Sequence, residues 1–298
     1  MRLSHQLIFL IILIPLTTTL VVGETIRVAS YNLRNYLTMD RMVQGVWRPE
    51  YPKPEVEKRA LRAVIVAAGP DILCVQEMGT LPYLKELQAD LKLEGLHYPY
   101  AVHLQAADSE RHIALLSKYE PIRVKKHTDL EFKYLNGRER VKRGLLEASF
   151  ELGQSTFTLF GVHLKSPWSD QVDDPNSELR RTREAEACRN RVVERTLERG
   201  AADYLILGDF NDHPNSSAMR RFYQRGDLMI GTRLPVSDGR GEVWTYFYER
   251  EATYRAVDGF ILSEQLWPRV SSGQGAISDG PEVMIGSDHR MIWVDLIF

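Results

Sequence analysis

Apolar and polar positions alternate in two regimes along the chain. Residues 26–31 have the β-branched and aromatic character of a strand, and 54–68 carry apolar residues at helical spacing up to the stop signal Gly69-Pro70. Residues 71–76 are a second apolar run that ends on polar groups. Strand, helix and strand in that order predict a parallel βαβ unit. The middle reads differently, with strand-length runs at 98–104, 112–117, 122–128, 145–152 and 156–162 separated by short turns, the pattern of antiparallel sheet. The longest helix is expected over 177–199, with Ser177 as its N-cap, Gly200 as its stop, and Leu179, Cys188, Val192 and Leu197 among its apolar positions. Its many Arg and Glu residues read as a solvated, salt-bridged face. A strand at 204–207, a short helix at 216–224 and strands at 257–262 and 291–297 complete the pattern. No repeat or Pro/Gly/Ser-rich linker divides it. The expectation is one domain over 24–298, two packed sheets with helices outside.

The first residues stand apart. Arg2 and His5 precede an apolar stretch broken by Pro15, and Val21-Val22-Gly23 offers modest side chains where a signal peptidase cuts. Residues 1–23 therefore read as a cleavable signal peptide and Glu24 as the start of a secreted or periplasmic protein; the alternative is an uncleaved membrane anchor. The two cysteines, Cys74 and Cys188, lie in apolar surroundings and read as free, buried thiols.

Composition changes the picture in one respect. A formal net charge of −2 over 298 residues excludes a polycation, so total charge lends no support to avid binding of duplex nucleic acid. The exception is local: residues 118–143 carry nine Lys and Arg, the best candidate for contact with a polyanion or an anionic membrane.

The chemistry gathers at strand ends. Asn32 follows the first strand, Gln76-Glu77 the second, His163 the run at 156–162, and Gly208-Asp209-Phe210-Asn211 the strand at 204–207, while Ser287-Asp288-His289 precedes the last strand. Strand ends that meet at one rim of a sheet share a cleft. Taken singly each has a bland account: Asn32 as a turn residue, Asp209 and Asn211 as an Asx-turn before Pro214, Asp258 as an ion-pair partner. Together they suit phosphoester hydrolysis. A hard divalent cation takes oxygen ligands, for which Glu77 and Asp288 are the natural donors, and His163 and His289 can move the protons of water attack and leaving-group departure. His112 and His213 lack a partner at metal spacing. Lys165, Trp168, Trp244 and Tyr246 are potential substrate contacts or loop packing.

The strings Ser30-Tyr31-Asn32-Leu33-Arg34, Val75-Gln76-Glu77, Leu116-Ser117-Lys118, Val162-His163-Leu164-Lys165-Ser166, Gly208-Asp209-Phe210-Asn211, Val257-Asp258-Gly259-Phe260-Ile261 and Ser287-Asp288-His289 together resemble the endonuclease/exonuclease/phosphatase superfamily across essentially the whole mature chain. That resemblance implies the DNase I-like fold, an α/β four-layer α/β/β/α sandwich of two mixed sheets flanked by helices, and an enzyme that uses Mg²⁺ or Mn²⁺. It implies that Glu77 and Asp288 hold the metal, and that Asn32 and Asn211 hold phosphate oxygens or metal-bound water, which groups Asn32 with the metal ligands. It implies further that Asp209 orients the attacking water, and that His289, aligned by Asp258, takes its proton or contacts the phosphate. Arg34 stands where abasic-site endonucleases carry an Asp, and His163 where they carry a Tyr; both are nearer the DNase I and sphingomyelinase branches, and His163 suits a leaving-group acid. Arg34, Lys165 and Trp168 are the expected substrate contacts. The expected partner is a phosphodiester, with nucleic acid preferred over a phospholipid or inositol phosphate. No protein partner is expected, and the chain is expected to be a monomer. An inactive binding protein on this scaffold would have lost one of Glu77, Asp209 or His289, and all three are present.

Overall fold

The computed structural model describes residues 23–200 and 203–298, so the expected leader falls, Gly23 apart, outside the described residues. Thr25–Tyr36 and Ile72–Met78 pair in parallel, joined by the helix Glu55–Ala68, which is the expected βαβ unit. They form the middle of a sheet of seven strands in the order Val236–Ser237, Gly275–Ile277, Ile292–Ile297, Thr25–Tyr36, Ile72–Met78, His112–Ser117, Tyr100–Leu104. A sheet of six runs Thr232–Arg233, Asp258–Leu262, Tyr204–Asp209, Ser155–His163, Leu145–Leu152, Pro121–His127. Here too the two central strands, Ser155–His163 and Tyr204–Asp209, are parallel, with the helix Glu178–Arg195 between them in sequence.

Alternation along the strands decides the layers. Val28, Ile72, Cys74 and Leu115 from the first sheet meet Ala148, Phe157, Leu159, Leu205 and Phe260 from the second in the central core. The alternate residues face outward: Ala29, Tyr31, Leu73 and Val75 against Leu61 and Ile65 of the first helix and Leu84 and Leu87 of the helix Leu81–Leu93. Phe160, Val162, Tyr204 and Ile206 face Ala185, Cys188 and Val192 of Glu178–Arg195, and Met219 and Phe222 of Ser217–Tyr223. Helix, sheet, sheet, helix is therefore the layer order. Cys74 and Cys188, free and buried, belong to different layers, the central core and the outer helical core. Among the described residues no helix is long and apolar enough to cross a membrane.

Two expectations need correction. Ser177 does not cap its helix: its φ is 51° and its hydroxyl donates to the Trp168 carbonyl, while Asp174 accepts from the N–H groups of Leu179 and Arg180. The charged residues of that helix are not simply solvated, since Arg181, Glu184 and Arg189 are buried; Arg181 pairs with Asp212 at 2.8 Å, and Glu184 accepts the Lys165 N–H. In the basic stretch 118–143, Lys118 pairs with Asp71, Arg123 with Glu147, Arg138 and Arg140 with Glu131, and Arg143 with Asp108, while Lys125, Lys126, Lys133 and Lys142 have no ion-pair partner among the described residues.

Candidate active site

The registers of the two sheets bring the polar strand ends together. His163 lies opposite Asp209, and Asp209 opposite Asp258, so three neighbouring strands deliver one row of side chains. Gly208 makes this close approach feasible: its φ is 141°, and a Cβ there would sit 2.0 Å from the Val162 carbonyl oxygen. Asn32 comes from the other sheet and spans the gap, its Nδ2 donating to Asp209 Oδ2 at 3.0 Å. Asn211, at φ 52°, donates its backbone N–H to Asp209 Oδ1 at 2.8 Å and its amide to Oδ2 at 3.1 Å. Asp209 is thus buried and fixed by three N–H donors.

Charge in this floor is unevenly distributed. Burial pushes the Asp209 carboxyl well above the ordinary range, and Asp258 adds to the rise, while His289 and the hydrogen bonds from Asn211 and Asn32 oppose it. Burial works against charge on His289 as well, but the carboxylates of Asp258 and Asp209 and the hydrogen bond to Asp258 outweigh it and lift the imidazole to about 10. His289 Nδ1 lies 2.9 Å from Asp258 Oδ2, and its Nε2 lies 3.9 Å from Asp209 Oδ2. Burial and the nearby Arg143 hold His163 well below its usual value, so it is an uncharged ring with Nε2 at 3.6 Å from Asp209 and 4.0 Å from Glu77.

Asp209, Asp258 and His289 each offer an atom within 4.8 Å of the others, close enough to share a cation. A better fit for a hard metal ion lies with Glu77 and Asp288, which line the same cleft, half-buried. Glu77 Oε2 accepts the Asn35 N–H at 2.8 Å, which leaves Oε1 unengaged apart from His163; among the described residues the Asp288 carboxylate forms one ion pair, with Arg34 at 3.7 Å. Two carboxylates with free lone pairs facing one open space are the donor set Mg²⁺ takes. Asn32 is differently committed. Its carbonyl accepts the Arg34 N–H at 2.9 Å and its amide holds Asp209, so it acts on the carboxylate.

The cleft has a volume of about 540 Å³. Of the expected residues, Arg34, Glu77, Trp168, Asp209, Asn211, Asp288 and His289 line it. His163 and Asp258 lie beneath, buried. Lys165 turns away, its ammonium held by the carbonyls of Ser166 and Trp168, which ties down the loop that carries Trp168. Trp168 itself is 76% exposed. Tyr246 packs at 4.7 Å against the His289 ring, tilted by 40°, and stacks with Tyr248 along the rim, whereas Trp244 covers Arg290 instead. His112 and His213 are elsewhere: His112 is buried against the His103 ring, and the exposed His213 accepts from the Asn215 N–H. Asn35, Tyr248 and Arg255 line the cleft without having been anticipated. Only Asn35 had a signal in the sequence, as an Asn in a polar run after a strand, the place where left-handed backbone is expected.

No match to the sequence is found among curated proteins. Solved structures resemble the fold. A mutant form of beta toxin from Staphylococcus aureus with bound magnesium ions superposes with a TM-score of 0.64 at 14% identity, covering 91% of this chain and 99% of that one. An endonuclease/exonuclease/phosphatase family protein from Bacteroides thetaiotaomicron gives 0.63 at 16% identity, over 93% and 98% of the two chains. The human Nocturnin catalytic domain with bound sulfate gives 0.60 at 16% identity, over 91% and 93%. At these identities the likeness is one of fold, the two-sheet DNase I-like sandwich. The sequence itself goes further, because the profile of the Endonuclease/Exonuclease/phosphatase family matches residues 29–289, from the strand that carries Asn32 to the histidine of the dyad. The chain belongs to the endonuclease/exonuclease/phosphatase family, whose members are hydrolases of phosphoester bonds.

Proposed function

We propose that the chain is an exported, Mg²⁺-dependent phosphodiesterase, with nucleic acid as its substrate. The observation that carries the reading is a buried, triply hydrogen-bonded Asp209 set beside a charged His289–Asp258 dyad, in a cleft that also holds the free carboxylates of Glu77 and Asp288. The leader-like start of the sequence supports export.

The divisions of labour left open by the sequence become narrower. Asp209, basic through burial and locked by Asn32 and Asn211, aligns the attacking water and takes its proton. His289 holds its own proton on Asp258 and so serves as a fixed cation toward a phosphoryl oxygen. An uncharged His163 is poorly suited to donate a proton to the leaving oxygen, the task expected of it. Its Nδ1 is buried without a hydrogen-bond partner among the described residues and its Nε2 faces Asp209 at 3.6 Å, which leaves it a packing group in the floor in this reading. A Mg²⁺ ion held by Glu77 and Asp288 supplies charge withdrawal from the phosphoryl group.

Support for nucleic acid comes from the rim, where Arg34 and Arg255, both 46% exposed at the side chain, accompany the Tyr246–Tyr248 stack. One observation favours a lipid substrate as the second reading. The hairpin Met39–Val43/Val46–Tyr51 presents Met42, Val46 and Trp47 at 63%, 50% and 58% exposure, an apolar surface patch suited to contact with a lipid layer. A parallel assay on single- and double-stranded DNA, RNA, sphingomyelin and inositol phosphates with Mg²⁺ decides between them. The proposal expects cleavage of nucleic acid that weakens steeply with salt; turnover of lipid or inositol phosphate alone removes the nucleic-acid reading.

A further inference from the structure

Lys53 is a buried ammonium with no part in the reaction described above. It is 1% exposed, and it reaches the interior from an extended segment made rigid by Pro52 and Pro54 on either side. Its Nζ donates to the Arg34 carbonyl at 2.9 Å and pairs with Glu57 at 2.9 Å. A second cation from the same excursion, Arg41, donates to the carbonyls of Asn35 and Leu37. Burying an ammonium is costly, so its attachment to one backbone oxygen calls for a reason.

The backbone it grips is unusual. Arg34 and Asn35 are consecutive non-glycine residues at φ 45° and 56°, and the register between the first two strands shifts between Asn32 and Tyr36. Left to itself such a bulge relaxes, since each left-handed residue of this kind is strained. In the conformation held here the Asn35 N–H lies 2.8 Å from Glu77 Oε2, and Glu77 is itself left-handed at φ 58°. Arg111 steadies the same residue by donating to Asn35 Oδ1 at 2.8 Å.

We propose that Lys53, with Arg41, is a positioning residue for the cleft's metal-binding carboxylate: the two cations clamp the Arg34–Asn35 bulge so that the Asn35 N–H fixes the rotamer of Glu77. The inference rests on the reading of Glu77 as a metal ligand. Groups that orient a ligand from behind govern metal affinity, and losing one weakens binding about tenfold or more.

The test is calorimetric titration of the substrate-free protein with Mg²⁺, accompanied by melting curves in excess chelator. Lys53→Met is expected to bind Mg²⁺ about tenfold more weakly than the wild type, and Arg41→Lys, which keeps the charge but loses the planar guanidinium whose Nη2 serves the Asn35 and Leu37 carbonyls while its Nε serves that of Tyr51, more weakly by a smaller factor. Each is also expected to need more Mg²⁺ for half-maximal activity while keeping most of its kcat at saturation. A folded Lys53→Met with wild-type Mg²⁺ affinity overturns the proposal, even if its melting temperature falls, because that is the signature of a purely structural lysine. Should Lys53→Met fail to fold, wild-type affinity in Arg41→Lys overturns it instead. Glu77→Gln separates the two layers of argument: undiminished Mg²⁺ binding in that variant refutes Glu77 as a ligand and the clamp with it, whereas weak binding there beside normal binding in Lys53→Met refutes the clamp alone.

Discussion

Asp209→Asn is expected to lower kcat by about a thousandfold, within the range in which a positioned general base contributes. The substitution preserves shape and removes the one buried carboxylate able to take a proton from water beside the His289 cation. Its effect on stability should depend on pH in a defined direction. Because burial raises the folded-state pKa of Asp209, the folded protein binds its proton more tightly than the unfolded chain does. That contribution is fully present below the unfolded carboxylate value of about 4 and is lost as pH rises through the folded-state value. The asparagine variant carries no such term. With metal chelated, the melting temperature of Asp209→Asn relative to wild type should therefore climb between pH 4 and pH 8. A relative melting temperature that falls over that range would mean that the carboxylate is stabilised in the fold, which contradicts the assignment of a desolvated base.

The second large effect belongs to the dyad. His289→Ala removes the cation and is expected to cost about a hundredfold to a thousandfold in kcat/KM, the scale seen when a fixed charge or donor aimed at the transition state is deleted. Asp258 has no place on the cleft wall and acts through the 2.9 Å hydrogen bond to His289 Nδ1. Asp258→Asn should lower the rate by itself, yet Asp258→Asn combined with His289→Ala should be little worse than His289→Ala alone. Full additivity in this cycle would show that Asp258 acts independently of the imidazole.

The layers were legible because each rests on short-range pattern. The apolar runs at 26–31, 71–76, 156–162 and 204–207 became the parallel centres of the two sheets, and the polar residues at their ends met at one rim as a strand-end argument expects. The helix Leu81–Leu93 was passed over; it starts at Leu81-Pro82 without a side-chain cap and buries only Leu84, Leu87 and Leu91, a thin stripe. What escaped reading altogether depends on partners far away in sequence. Whether Lys118 or Arg143 is free or neutralised is decided by Asp71 and Asp108, which no local window contains. Lys53 gave no sign of its role between two prolines, since the carbonyl it serves belongs to Arg34 and becomes visible only once the bulge is formed. The cap of Glu178–Arg195 was misplaced for a related reason: Asp174 reaches past Ser177, whose left-handed backbone turns its hydroxyl toward Trp168.

The central claim is that this cleft hydrolyses a phosphodiester with the help of a divalent ion held by Glu77 and Asp288. Its most direct test is turnover of whichever diester the substrate assay shows to be cleaved fastest, first in excess chelator and then with Mg²⁺ or Mn²⁺ restored. The account predicts no measurable turnover in chelator, full recovery on adding either ion to the wild type, and no comparable recovery in Glu77→Gln at the same ion concentration. Undiminished turnover in excess chelator would contradict it.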